Sequence, residues 1–422
     1  MARSLLRERR FWPFLLLQAL GALNDNLYKN ALTIAVVLRA GALGPVLVAA
    51  AGGIFILPFL LFSAPAGALA DRLDKARLVR LAKLAELLLM LAGAAALMAA
   101  NATSLLAVLF GLGVQAAFFG PIKYAIVPEL LAAEDVAAAT GWIEAATFLA
   151  ILLGTIAGPA LMALPAGAGI ASCGIVLIAA LGLLAARLLP ALAGAAPERA
   201  ERRHLSRETV PLLRMARARR EVWGAILGLS WFWAVGTVFV SEFPPLALRF
   251  LGGGASLVSL LLSAFVLGVA AGSLAAGRFA RGGLRLWPVP WALLAMALLT
   301  ADFAAALSRL GARGGMRGGG HLLASFAGGR VFADLVLLAA MGGVVSVLLY
   351  AVLQGTPAAI RAQMIAANNI MNAVFMLAAA VALMALDASS AALPTVFALL
   401  ALLALAVAGG AFRAIGVARR GT

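Results

Sequence analysis

Apolar runs long enough to cross a lipid bilayer follow one another along nearly the whole chain, and they constrain its fold more than any other feature. A helix needs roughly 20 apolar residues to span the hydrocarbon core. Twelve runs reach that length, at about 12–37, 46–70, 78–99, 103–125, 137–163, 167–190, 222–247, 255–280, 286–308, 331–354, 361–386 and 391–413. Turn and charge signals part them, among them Asn101, Glu134-Asp135, Pro165-Ala166-Gly167, Gly252-Gly253-Gly254 and Gly282-Gly283. Charged residues make up only 12% of the chain, about half their share in a soluble domain. That balance excludes a soluble enzyme and a disordered chain. Cys173 is the one cysteine, so no disulfide scaffold can form. The two histidines, His204 and His321, lie in different segments and are too few for a His-based metal cage. Neither a metal nor a cofactor is expected. The chain reads as an all-α membrane protein with twelve transmembrane helices.

A net charge of +16 could suggest a nucleic-acid partner, but the basic residues sit mainly in short segments between apolar runs. Arg3, Arg7, Arg9 and Arg10 precede the first run, Arg72, Lys75, Arg77 and Arg80 follow the second, and eight Arg fall between 199 and 220. The alternate connections hold only Arg39, Arg249, Arg309, Arg313, Arg317 and Arg330. The positive-inside rule therefore puts both termini in the cytoplasm, and no nucleic acid is expected as partner. The basic, then apolar, start resembles a signal peptide. Without a small-residue cleavage site it reads as an uncleaved first span. The longest basic connection splits the chain into a six-helix half at 1–190, a cytoplasmic linker at 191–221 and a second six-helix half at 222–422. A faint repeat supports two related halves: Gly67-Ala-Leu-Ala-Asp71-Arg72 ends the second span, and Gly272-Ser-Leu-Ala-Ala276-Gly277-Arg278 ends the eighth.

Polar side chains inside spans are costly, so they mark function by default. Asn24, Asp25, Asn26, Tyr28, Lys29 and Asn30 crowd one stretch of the first span. Asp25 and Lys29 are i,i+4 neighbours and can neutralise each other, while Asn24 and Tyr28 share the adjacent stripe. Such a face lines a cavity or clamps a neighbouring helix. In the loop Gly67–Arg77, Asp71 can accept hydrogen bonds from a helix N-terminus, and Arg72 and Arg77 can pair with acidic groups to hold the cytoplasmic side shut. Around Phe118–Leu130, Gly120-Pro121 is expected to break the helical ladder, and Lys123 stands at the inner headgroup level, where it can meet a lipid phosphate or snorkel. Glu144 opens the fifth span and could meet an ammonium group. Farther along that span, Gly154-xxx-Gly158 offers a small-residue contact face. Asn368 and Asn372 share one face of the eleventh span. Glu242, Asp302 and Asp334 are further acidic residues within spans, with roles left open.

Together these segments resemble the lysophospholipid transporters of the major facilitator superfamily, and most closely the membrane part of fused acyltransferase–synthetase proteins. The residues that carry the likeness are Gly21–Asn30, Phe55–Ser63 running into Gly67–Arg77, Phe118–Leu130, Glu144–Gly158, Leu229–Trp233 and Arg361–Asn372. Asp74 stands where the superfamily loop usually has Gly. The resemblance implies the major facilitator fold and a flippase in the bacterial inner membrane. It would move lysophospholipid to the cytoplasmic leaflet for re-acylation by a separate acyltransferase and acyl-carrier synthetase. Asn24, Asp25, Tyr28, Lys29, Lys123, Glu144, Asn368 and Asn372 are then the substrate-binding candidates, and Asp71, Arg72 and Arg77 the gate. No catalytic residues are expected: the acyltransferase H-x-x-x-x-D spacing fails, since Thr209 lies five after His204 and Phe326 five after His321. The competing reading is a major-facilitator exporter of drugs or other small amphipathic solutes.

Overall fold

The computed structural model describes residues 5–39, 44–190, 192, 205–311 and 326–420. His204, His321 and much of the 191–221 connection lie outside them. Among the described residues there are 14 α-helices and no strands. In chain order these are α1 Trp12–Arg39, α2 Gly44–Arg72, α3 Lys75–Ala99, α4 Ala102–Ala125, α5 Val127–Leu130, α6 Val136–Met162, α7 Gly167–Arg187, α8 Leu205–Arg217, α9 Arg220–Pro245, α10 Ala255–Phe279, α11 Pro288–Gly311, α12 Phe326–Gln354, α13 Arg361–Ala388 and α14 Leu393–Arg420. Eleven helices among the described residues are long and apolar enough to cross a membrane. The twelfth long helix is α1, whose 28 residues contain the Asn24–Asn30 polar run.

The helix ends follow from local chemistry. Asp74 N-caps α3, its carboxylate accepting from Ala76 N at 2.7 Å and Arg77 N at 3.4 Å, and Asn101 caps α4 through Ser104 N at 2.9 Å. Asp74 thus replaces a glycine's flexibility with a cap. Pro244 and Pro245 end α9, and a π-helical turn, Leu246–Phe250, follows; proline lacks the N–H that the regular ladder needs. Gly120-Pro121, expected to break α4, does not. That helix runs unbroken to Ala125, as α2 does through Pro58 and Pro65 and α6 through Pro159. Membrane helices tolerate proline because neighbouring groups re-satisfy the freed backbone. The basic connection also contains a helix the apolar pattern missed: α8 buries Leu212 and Ala216 and exposes Arg214 and Arg217.

The chain folds as two compact units. The first comprises Met1–Ala139, Ala146–Trp223 and Val352–Ala373, and the second Thr140–Ala145, Gly224–Ala351 and Val374–Thr422. In the first, Leu27, Tyr28, Leu32, Met90, Leu97, Leu109, Leu112 and Ile175 form the apolar centre of α1, α3, α4 and α7. Helix α3 shows the principle. Lys83, Glu86, Met90, Gly93 and Leu97 are buried, while Leu81, Leu84, Leu88 and Leu91 are exposed. An apolar outer face suits lipid, and the polar groups turn inward. In the second unit, Phe239, Phe243, Phe265, Phe303 and Phe397 interlock, with ring centroids 4.9 to 6.4 Å apart.

Small residues set the closest helix approaches. A Cβ on Gly67 would stand 2.6 Å from Ala366 Cβ of α13, and one on Gly272 would run into the backbone of Ala340 on α12. The two glycines of the faint repeat therefore play the same part, each within its own unit. Gly154 and Gly158 of α6 rest on the α1 backbone at Leu23, Leu27 and Ala31, so the small-xxx-small face finds its partner there.

Candidate functional site

The polar run of α1 divides by direction. Asn24 Nδ2 donates to Ile175 O of α7 at 3.0 Å, and Tyr28 Oη donates to Leu105 O of α4 at 3.0 Å. Both residues are fully buried, and the Tyr28 ring fills the space a side chain at Gly93 would need. For Asn24 and Tyr28, then, the geometry is that of the helix–helix clamp. Asn26 and Asn30 donate to carbonyls one turn back, at 2.8 Å each, and Asn30 also reaches Thr155 Oγ1 of α6 at 3.4 Å.

Asp25 and Lys29 make no ion pair with each other among the described residues, although their i,i+4 spacing allows one. The ion pair of this region is on α3, where Lys83 Nζ lies 2.6 Å from Glu86 Oε2. Gln115 Nε2 of α4 adds a hydrogen bond to the same oxygen at 3.4 Å. Lys83 also stands 5.5 Å from the centre of the Phe119 ring. Lys83 and Glu86 are 1% and 2% exposed. Lys83 and Lys29 attract the Asp25 carboxylate and Glu86 repels it, so Asp25 is one of a four-charge cluster rather than the partner of Lys29 alone.

Asp71 terminates α2 and caps α13. Its carboxylate accepts from Ala362 N at 2.8 Å, Gln363 N at 3.0 Å and Gln363 Nε2 at 3.1 Å. The N-terminus of a helix presents free N–H groups and a positive dipole end, and a buried carboxylate satisfies both. Arg72 and Arg77, named with Asp71 as the gate, are exposed and in no ion pair among the described residues. The charges that do meet here are Lys75 and Glu129, 2.6 Å apart. Arg361, at the start of α13, feels both Glu129 and Asp71 and donates to Thr356 O at 3.2 Å. The contact uses Asp71, Lys75, Glu129 and Arg361 rather than the two exposed arginines.

Lys123 Nζ donates to Thr147 Oγ1 at 3.1 Å and lies 4.8 Å from the centre of the Tyr124 ring. Gln18 Nε2 of α1 donates to the same hydroxyl at 3.2 Å. Glu144 belongs to the second unit. It is 1% exposed and its Oε2 accepts from Ser346 Oγ of α12 at 2.9 Å. Asn368 and Asn372 are buried on α13, and Asn369 between them packs on Gly120 of α4. In the second unit, Arg330 pairs with Asp302, and Asp334 beside them is buried.

Sequence reasoning passed over Lys83, Glu86, Gln115, Lys75 and Glu129 as site residues. A signal was present: Lys83-x-x-Glu86 places opposite charges at i,i+3 inside an otherwise apolar run, and in a membrane helix that spacing hides a pair on one face.

The sequence profile of the Major Facilitator Superfamily matches residues 14–380. A protein of Yersinia pestis (strain Pestoides F) named "Lysophospholipid transporter LplT" is 32% identical over 172 residues. That stretch covers 40% of this chain and 41% of the relative, so the match spans well under half of either protein. Its counterpart in Yersinia pseudotuberculosis serotype IB (strain PB1/+) matches equally. Among solved structures, the E. coli fucose:proton symporter FucP superposes with a TM-score of 0.70 at 16% identity, covering 96% of this chain and 99% of that one. The human organic anion transporter MFSD10 gives 0.70 at 18%, covering 95% and 99%. Identities this low speak for the fold alone. With a profile match across most of its length and twelve long helices of that fold, the chain belongs to the Major Facilitator Superfamily and is a multi-pass membrane transporter, not an enzyme.

Proposed function

We propose that this transporter moves lysophospholipids across the bacterial inner membrane to the cytoplasmic leaflet, where a separate acyltransferase and acyl-carrier synthetase re-acylate them. The observation that carries this reading is the 32% identity to the lysophospholipid transporter over 172 residues. The side-chain chemistry supports it. Asp25 and Lys29 offer a carboxylate and an ammonium one helical turn apart without being paired to each other, which suits a headgroup bearing both charges. Lys123, whose Nζ donates to the Thr147 hydroxyl, supplies a point charge for the phosphate. Both termini cytoplasmic, two six-helix halves and a basic linker at 191–221 complete the proposal. The contact of Asp71 with α13 is its gate, which must part and re-form in each cycle.

The test is flipping by purified protein in liposomes. Labelled lysophosphatidylethanolamine and lysophosphatidylglycerol are added outside, and the protected fraction is measured after albumin extraction. Protein-dependent protection is expected for both, lower in Asp25→Asn and Lys123→Ala, with diacyl phospholipid unmoved. Protection no greater than in empty liposomes, alongside saturable uptake of a small amphipathic drug, would replace this reading with that of a solute exporter.

A further inference from the structure

Helix α8 is 13 residues long and ends just before α9, whose membrane span opens at Arg220. A helix of that length is too short to cross a bilayer, which takes roughly 20 apolar residues. The tight junction therefore keeps the C-terminal end of α8 at the boundary between hydrocarbon and headgroups. Backbone hydrogen bonds carry the chain through it: Ala218 N donates to Arg214 O at 3.0 Å, Arg219 N to Ala216 O at 3.0 Å and Trp223 N to Arg219 O at 2.9 Å. Arg219 Nη1 also turns back to Met215 O at 3.0 Å, as a basic side chain at a helix C-terminus does. Trp223, half-buried in the first turn of α9, is of the type that collects at membrane–water interfaces.

The helix has two faces. Leu212 and Ala216 are buried, and α8 packs on α2 of the same unit. Arg214 and Arg217, three residues apart, share the opposite face. Both are exposed, and Val210, one turn before Arg214, is 54% exposed. From Arg214 to Arg220 the chain carries four arginines and no acidic residue, and all four are exposed. Their guanidinium groups stay charged at any pH the protein meets. Like charges held so close repel one another, and a surface of phosphates offsets that repulsion. A second mark of the same level is Arg187, the last residue of α7, exposed between the exposed Leu184 and Leu188. The chain leaves the bilayer there and re-enters it at Arg220, so both ends of this connection lie on one side of the membrane.

We propose that Arg214, Arg217, Arg219 and Arg220 form a binding site for the phosphates of anionic phospholipids in the leaflet around the transporter, with Val210 entering the headgroup layer beside them. The leaflet is the source of phosphate that the α8–α9 junction places next to these arginines at all times. Arginine pairs with phosphate oxygens through two parallel N–H groups. Pairing on the outward face leaves Leu212 and Ala216 seated on α2, so bound lipid holds the helix in place rather than lifting it. The attraction is electrostatic and weakens as salt rises. These lipids are the surroundings of the protein and not its cargo, and the site does not depend on what the transporter moves.

The test uses the purified full chain with Cys173→Ser and a fluorophore on Val210→Cys, in phosphatidylcholine nanodiscs. These are doped with a phospholipid spin-labelled near its headgroup, either phosphatidylglycerol or phosphatidylcholine. Phosphatidylglycerol should quench the fluorophore at a lower share of the bilayer than phosphatidylcholine does. That preference should fall about fivefold for each arginine removed, so it should nearly vanish in Arg214→Gln with Arg217→Gln. Arg214→Lys with Arg217→Lys keeps the charge and should keep most of the preference, and sodium chloride should lower it. All four positions are exposed, and thermal unfolding checks that each variant is folded. Equal quenching by the two lipids, or a preference that survives the glutamine pair, overturns the proposal. So does displacement of phosphatidylglycerol by inorganic phosphate or a short oligonucleotide beyond that caused by sodium chloride of equal ionic strength, which would make the arginines a site for a soluble polyanion.

Discussion

Replacing Asp71 with Asn removes the charge that caps α13 and keeps the volume. The carboxylate accepts three hydrogen bonds, two from backbone N–H groups at the start of that helix and one from the Gln363 amide. An amide oxygen can keep one of the backbone donors, while the amide nitrogen, itself a donor, cannot replace the second carboxylate oxygen. The backbone donor left over is nearly buried, and the favourable pairing of a carboxylate with a helix N-terminus is lost. Hydrogen bonds to a charged group contribute roughly 1.5–3 kcal/mol each. Losing one and weakening another removes about 3 kcal/mol from the state in which α2 and α13 touch. At 1.4 kcal/mol per factor of ten, that shifts the equilibrium between contact made and contact broken roughly a hundredfold. The reporter is Ala366, whose Cβ lies under Gly67 at this crossing and is fully buried. In a Cys173→Ser background, which removes the exposed native thiol, Ala366→Cys should react slowly with a membrane-permeant maleimide. Adding Asp71→Asn should speed that reaction by one to two orders of magnitude and slow transport. Labelling and transport both unchanged would show that the contact does not govern access, leaving the loop as a topology signal.

Three further outcomes follow from the packing. Lys83→Met leaves the Glu86 carboxylate buried and unpaired, at a cost of about 3–5 kcal/mol, whereas adding Glu86→Leu removes the stranded charge; the double variant should give more folded protein in detergent than the single, and equal yields would count against a closed ion pair. Gly158→Leu drives a side chain into Asn30 Cβ and Leu27 O, each 2.9 Å from the Cβ position, while Gly236→Leu enters open space; only the first should lower the thermal midpoint, and matching losses would contradict the α1–α6 packing. Phe397→Ala takes one ring from the five-ring cluster and should destabilise by about 3–5 kcal/mol, against little change for the exposed Leu402→Ala, both read by thermal unfolding.

The helices were legible because their cause is local. An apolar run of sufficient length has nowhere to go but a bilayer, and the run boundaries fall close to the helix ends. What escaped was set by partners far away in the chain. Pro121 reads locally as a break, yet α4 continues through it. Asp25 and Lys29 read as a pair because sequence shows spacing along one helix and not what stands across from it. Lys83 and Glu86 stand across from it, more than fifty residues later, admitted by the missing side chain of Gly21. The same holds for the proposed gate. Asp71 was recognisable as a carboxylate in a known kind of loop, but the helix it caps begins 290 residues on, and only that helix reveals Lys75, Glu129 and Arg361 as the charges beside it. Arg72 and Arg77, from the same loop, are exposed and in no ion pair among the described residues, which spacing along the chain does not tell. In a chain so poor in charge, Lys83 and Glu86 neutralise each other on one helix, while Asp71 and Lys75 find their partners on other helices. The informative unit is therefore the pair across helices, and sequence alone supplies only its members.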